Sequence, residues 1–353
     1  MNPYWSRRLA DVEPYVPGEQ PKEGQYIKLN TNENPYPPSP KALAAIAAAA
    51  GEGLRLYPAP ECGGLCRAIA DFYGLTPEEV FVGNGSDEVL AMAFLAFFSP
   101  EDRIAFPAVS YSFYPVYARL FDIPYDAVEL REDFTLDPSV FRKEHRGIVF
   151  ANPNAPTGIA LPLEEVEQIL RAHRDVPVIV DEAYVDFGAD SAVGLIGEYP
   201  NLLVIQTFSK SRSLAGLRVG FALGQPHMIA ALDTVKNSFN SYTLDRLAQA
   251  GAAAAMEDQE YFEATRQKII ATRTWSAEAL EKLGFTVLPS KTNFLFASHP
   301  EASAAALFGA LRQRHILVRY FNKPIVDQFL RITVGTDEEM KALLCALEEI
   351  LGR

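Results

Sequence analysis

Four short apolar segments, at residues 148–151, 177–181, 202–206 and 218–223, alternate with helical or loop stretches. One of those stretches is the amphipathic run Leu163–His173, which begins after Pro162. Strands that recur with helices between them form a mostly parallel α/β sheet. Ligands in open sheets of this kind gather at the carboxyl ends of the strands. Three consecutive strand ends carry polar groups suited to that position: Asn154, Asp181 and Lys210.

Further elements extend the pattern. Lys41–Gly51 is Ala-rich and helical, Val80–Val82 is a short strand, and Ser86–Phe98 is an apolar helix. Residues 103–106 and 125–130 read as strands. Beyond about residue 243 the character changes. Long helices at 244–256 and 259–283 precede strands near 285–288, 293–296, 317–319 and 329–334, a helix near 301–313, and a last helix at 337–351. The expected organisation is an extended arm over residues 1–28, a large α/β domain over 29–243, and a smaller α+β domain over 244–353. The size of the chain, 353 residues with 48% hydrophobic content, accommodates two such cores.

The net charge of −13 argues against a nucleic-acid partner, which calls for clustered Lys and Arg, but not against a small anionic substrate held in a local cationic pocket. Cys62, Cys66 and Cys345 are sparse and odd in number, as expected of a reducing compartment. No metal site is expected: the two close cysteines lack a second pair, and His145, His173, His227, His299 and His315 read as surface or packing residues. The opening residues lack a signal-peptide core, and the longest apolar stretch, Val89–Phe98, is too short to span a bilayer. A cytoplasmic protein without a membrane partner is expected.

Lys210 follows an apolar strand and precedes Arg212 and Arg218. A crowded, buried lysine has a lowered pKa, and its neutral amine attacks carbonyls. The two arginines are expected to depress that pKa and to hold a phosphate. Gly83-Asn84-Gly85-Ser86-Asp87 joins a strand to a helix, and such an N-terminus suits a phosphate, although Ser86 or Asp87 would also cap any helix. Glu88 stands where a dinucleotide fingerprint needs its third Gly, which weakens the reading as a nicotinamide-dependent dehydrogenase. Asp181 could equally be a helix cap, and Asn154 could serve turn chemistry in its Pro-rich loop.

The runs NPNAPTG (152–158), DEAY (181–184) and SKSRSLAGLR (209–218) resemble those of the fold-type I pyridoxal-phosphate aminotransferases. LNTNENPYPP (29–38), LYPAP (56–60), GNGSDE (83–88) and RITVGT (331–336) extend the likeness over most of the chain. The opening VEPYVPG and the pairing of NENPY with SLAGLRVGF resemble the histidinol-phosphate aminotransferases within that family.

The resemblance implies pyridoxal 5'-phosphate as cofactor and Lys210 as the residue that condenses with it. Asp181 would pair with its ring nitrogen, and Tyr184 and Asn154 with its ring oxygen. Tyr111 would stack on the ring, with core packing expected for Tyr114 and Tyr117. Gly85, Ser86, Asp87, Ser209 and Arg218 would cradle the phosphate, and Tyr57 would reach it across a homodimer. Tyr15, Asn32 and Arg331 would meet the substrate. Arg319 would either assist them or form a surface ion pair. Ala155 stands where many relatives carry a second Asn, and Asn154 is expected to keep the hydrogen bond to the cofactor. The implied reaction is transamination between L-histidinol phosphate and 2-oxoglutarate. An aromatic amino-acid aminotransferase and a threonine-phosphate decarboxylase remain as alternatives, and a non-catalytic binding protein as a distant one.

Overall fold

A computed structural model describes residues 4–9, 12–21 and 24–352. Parts of the expected arm (residues 1–3, 10, 11, 22 and 23) and Arg353 lie outside the described residues.

Seven strands form the central sheet, in the order Val80–Asn84, Val219–Gly224, Leu202–Thr207, Val178–Asp181, Gly147–Ala151, Ile104–Pro107 and Tyr125–Val128. Val219–Gly224 runs antiparallel to both of its neighbours, and the remaining pairs are parallel. Each central strand is buried on both faces. Ile148, Phe150, Val178, Val180, Leu202 and Val204 enter one apolar cluster, while Val149, Ile179, Leu203 and Ile205 enter the opposite one. The alternation follows the two-residue side-chain period of a strand. Helix Leu163–Ala172 covers the first face, and helices Gly85–Phe97 and Pro226–Phe239 cover the second.

A four-stranded antiparallel sheet lies in the second half of the chain, in the order Arg319–Tyr320, Phe329–Thr333, Phe294–Ser298 and Thr286–Val287. Its apolar cluster collects residues from helices Gln259–Lys282, Ala304–Gln313 and Asp337–Leu351. The last of these starts in a capping box, in which Thr336 and Glu339 satisfy each other's backbone N–H groups.

Two features depart from the sequence reading. Helix Arg246–Glu257, expected in the smaller domain, buries Ala248, Ala252, Ala255 and Met256 in the core of the large sheet. Ile27–Lys28, at the end of the expected arm, pairs in parallel with Ile316–Leu317, so the turn that follows is fixed beside the small sheet. Three helices were also not anticipated: Gly63–Tyr73, Tyr114–Leu120 and Pro226–Phe239.

Two glycines set the height of the sheet's carboxyl edge. A Cβ at Gly220 would lie 2.2 Å from the Ser86 backbone nitrogen, and Gly85 has a φ of +79°. Only residues without a Cβ let the N-terminus of helix Gly85–Phe97 sit so close to the neighbouring strand.

Candidate active site

The strand register places Ala151, Asp181 and Ile205 side by side. The loops leaving these strands meet the turn Asn30–Glu33, the start of helix Gly85–Phe97, and strand residues Arg319 and Arg331 around one cavity of about 310 Å³. Lys210, Asp181, Tyr184, Ser86, Asp87, Tyr111, Ser209 and Arg218 line it, as do Tyr15, Asn32, Arg319 and Arg331.

Lys210 is a half-buried cation of this cavity. Burial, helped by the Arg331 charge and opposed by Glu33 and Asp87, brings its pKa down to about 8. Its Nζ donates to the Thr31 carbonyl at 3.2 Å. Arg212 plays no part in this shift. Its guanidinium stacks 3.6 Å from the Phe262 ring centre and donates to the Ala255 carbonyl. Of the two arginines expected to lower the lysine's pKa, Arg218 does, and the larger charge contribution comes from Arg331, on the small sheet.

Asp181 is fully enclosed. Burial raises its pKa to about 6, while hydrogen bonds from the Tyr114 hydroxyl at 2.8 Å and the Ala183 N–H at 3.2 Å stabilise the carboxylate. Tyr114 therefore does more than pack in the core. Tyr111 donates to Asp87 Oδ1 at 2.7 Å, and Arg218 donates to the other oxygen of Asp87 at 3.0 Å. Asn84 makes no side-chain cap on the following helix, and Ser86 and Asp87, at the start of that helix, line the cavity.

Arg331 enters from the opposite side. Its Nη2 donates to the Asn30 carbonyl at 3.1 Å, and its buried Nε has no protein partner. An uncompensated guanidinium facing a cavity is a site for a carboxylate or phosphate. Arg319 is partly engaged: its two terminal nitrogens donate to the Pro17 and Val16 carbonyls at 3.2 and 2.9 Å, tying the arm across the opening. The adjacent Tyr15 ring stacks on Phe113 with a centroid separation of 4.3 Å.

Three residues expected at the cofactor do not line the cavity: Gly85, which lies just behind Ser86, and the side chains of Asn154 and Tyr57. Asn154 is turned into its own loop, where its amide donates to Val109 O and Thr157 Oγ1 and accepts from Ser110 Oγ. Ala155 lines the wall in its place. Tyr57 is 77% exposed and stacks on Tyr242 at 4.6 Å, away from the cavity of its own chain.

Comparison with known proteins gives the family. The family described as aminotransferase class I and II matches residues 24–347. The chain belongs to the class I and II aminotransferases. It is 59% identical over 355 residues to histidinol-phosphate aminotransferase 1 of Bordetella parapertussis, covering 100% of both chains. It is 57% identical over 352 residues to histidinol-phosphate aminotransferase 1 of Methylococcus capsulatus, covering 100% of this chain and 99% of that one. The crystal structure of Sinorhizobium meliloti histidinol-phosphate aminotransferase in complex with pyridoxal-5'-phosphate superposes with a TM-score of 0.84 at 26% identity, covering 92% of this chain and 90% of the other.

The aminotransferase cavity also holds residues that the sequence did not single out. Glu33 is paired with Lys28 and accepts from Thr31 Oγ1 at 2.7 Å. Thr207 and Gly18 contribute to the wall. Glu33 and Thr31 belong to the quoted run LNTNENPYPP, but their direction depends on the pairing of Ile27–Lys28 with a strand nearly three hundred residues later. Tyr114 could be suspected only from its three-residue distance to Tyr111.

Proposed function

We propose that this chain is a pyridoxal-phosphate-dependent aminotransferase that transfers an amino group between L-histidinol phosphate and 2-oxoglutarate, giving imidazole-acetol phosphate and L-glutamate. The observation that carries the reading is a half-buried lysine with a pKa near 8, lining the same cavity as an enclosed aspartate, a helix start without a side-chain cap and Arg331, whose buried Nε has no partner.

The residues fit the cofactor chemically. The N–H groups at Gly85, Ser86 and Asp87, together with Ser209 and Arg218, suit its phosphate. Asp181, already held by Tyr114 and Ala183, suits a protonated ring nitrogen. Tyr184 is the hydroxyl available for the ring oxygen, with Tyr111 beside the ring; Asn154 would need a different side-chain orientation to join them. When bound, pyridoxal phosphate supplies a carbonyl for the amine and an electron sink for the substrate's Cα.

Lys210 acts as the mobile base: its Nζ accepts the proton from Cα and returns it on the far side of the exchange. Burial and the Arg331 charge, opposed by Glu33 and Asp87, keep that nitrogen within reach of both protonation states near neutral pH. Arg331 binds the anionic end of the substrate, the carboxylate of glutamate in one half-reaction and the phosphate of histidinol phosphate in the other, and Arg319 can add a second donor beside it. Tyr15 and the arm limit access of water. Asn32 contributes from the wall.

The enzyme is further proposed to be a cytoplasmic homodimer in which the exposed Tyr57 reaches the partner's cofactor phosphate. Its organisation is an arm over 1–28, a cofactor-binding domain from residue 29 and a small domain from residue 244, joined through the helix that packs on the large sheet.

Mixing the cofactor-loaded enzyme with one amino donor at a time tests this reading. Histidinol phosphate should bleach the visible band faster than histidinol, phenylalanine or tyrosine. Faster bleaching by the aromatic amino acids would assign the protein to the aromatic branch, and carbon dioxide release from threonine phosphate would assign it to the decarboxylases.

A further inference from the structure

Asn32 and Thr333 are almost fully buried, at 1% and 2% exposure, against the hydroxyl of Tyr184. The hydrogen bonds between them have only one satisfactory arrangement. The Asn32 backbone N–H donates to Thr333 Oγ1 at 3.0 Å. The threonine hydroxyl then directs its own proton to Asn32 Oδ1, also at 3.0 Å. With Oδ1 occupied, the amide nitrogen faces Tyr184 and donates to its oxygen at 2.9 Å. Reversing the amide would leave the buried threonine proton without an acceptor.

The surroundings hold this triad still. Asn293 donates to the Asn32 carbonyl at 2.9 Å, and the Thr333 N–H donates to Leu29 O at 2.9 Å. Asn32 has a φ of 57°, a left-handed conformation that Asn and Asp tolerate better than other side chains. The Tyr184 ring meets Phe294 edge-on at 5.1 Å.

We infer that Asn32 and Thr333 are positioning residues whose shared hydrogen bonds make Tyr184 a one-way donor into the cavity. Because the phenol oxygen already accepts from Asn32, its single proton is left to point at whatever the cavity holds. Resting on the function proposed above, this deepens it: the ring oxygen of the cofactor meets a donor of fixed direction, on a wall where Ala155 offers none. A fixed donor stabilises negative charge on that oxygen and so eases loss of the proton from the nitrogen that links Lys210 to the cofactor.

The charged groups around Tyr184 are Arg331, Asp181, Asp87 and Lys210. Asn32→Asp adds a charge to that set and gives the tyrosine proton an acceptor away from the cavity. Thr333→Val adds no charge but frees the amide to turn. Thr333→Ser preserves the hydroxyl. The readout is the pH at which the visible band of the bound cofactor titrates, measured without substrate. Asn32→Asp and Thr333→Val should both raise it, by about one pH unit, as expected for loss of one hydrogen bond to a charged oxygen. Thr333→Ser should leave it at the wild-type value.

A shift in Asn32→Asp alone would reflect its added charge and overturn the inference. So would wild-type titration in both variants, with the functional reading intact. A wild-type protein that shows no titrating band with pyridoxal phosphate would instead defeat the functional reading. Asn32→Asp preserves the backbone conformation, so a folded variant remains even if Thr333→Val melts. In that case Thr333→Ala supplies the uncharged comparison.

Discussion

Asp181 makes the cofactor-free protein pH-sensitive in a way that can be measured without any substrate. Its carboxyl titrates near 6 in the fold, against an ordinary value of 3.8, because burial outweighs the hydrogen bonds from Tyr114 and Ala183. A raised carboxyl pKa means that the fold favours the neutral form. The contribution of this group to stability is therefore fully present below about pH 4 and is lost as pH rises from about 4 to about 6. A shift of about two units corresponds to roughly 3 kcal/mol once the group is ionised. Asp181→Asn cannot ionise; its amide oxygen can accept from the Ala183 N–H while its amide nitrogen donates to the Tyr114 hydroxyl oxygen, as a protonated carboxyl would. In thermal or denaturant melts of the cofactor-free protein, the variant should match wild type near pH 4 and exceed it by up to roughly 3 kcal/mol at pH 7.5. Glu182 is also buried, with its pKa raised to about 7, and adds a decline that both proteins share. The difference between them is thus the quantity to read. Loading with pyridoxal phosphate should remove the variant's advantage, because a protonated ring nitrogen gives the wild-type carboxylate a partner. Equal stability of wild type and variant across this pH range would show that Asp181 is not an uncompensated buried acid, and the argument for its pairing with the cofactor would fail.

Other consequences are open to direct test. Since Lys210 titrates near 8, the rate at which the cofactor-free protein takes up pyridoxal phosphate should climb with pH to about that value and then level off; a rate flat from pH 6 to 9 would contradict a neutral-amine attack. Arg331→Ala should raise the KM for both histidinol phosphate and glutamate by roughly tenfold to a hundredfold, the range for one charge-assisted hydrogen bond of about 1.5–3 kcal/mol, and unchanged KM values would remove it from the anion site. Mixing a Tyr57→Phe chain with a Lys210→Ala chain should recover part of the lost activity through a hybrid site with both native residues, whereas a fully active monomer in sedimentation would exclude a shared one.

The large sheet was legible because its strands are short apolar runs whose ends carry Asp181 and the approach to Lys210. The small sheet was legible for the same reason. Helix Gly63–Tyr73 was not, since it opens with two glycines and has Cys62, in a left-handed conformation, at its N-cap. The boundary near residue 243 followed a change in sequence character, but the alanine-rich face of Arg246–Glu257 packs back on the large core. At the site, local motifs placed most of the cavity residues. What they could not give was side-chain direction. Arg212 and Asn154 sit in the expected motifs and yet face elsewhere, because Phe262 and the Val109–Ser110 turn supply better partners. Arg331's effect on Lys210, and the contact of Asn32 with Thr333, join positions distant in sequence and depend on the folded sheets.

The central claim is amino transfer to and from histidinol phosphate through Lys210. Following glutamate formation from 2-oxoglutarate with histidinol phosphate as donor, in wild type and in Lys210→Ala, tests it most directly. The account predicts turnover that depends on pyridoxal phosphate, clearly exceeds that with unphosphorylated histidinol, and disappears in a folded Lys210→Ala variant. Glutamate formation that persists in that variant, or equal rates with histidinol and its phosphate, would contradict it.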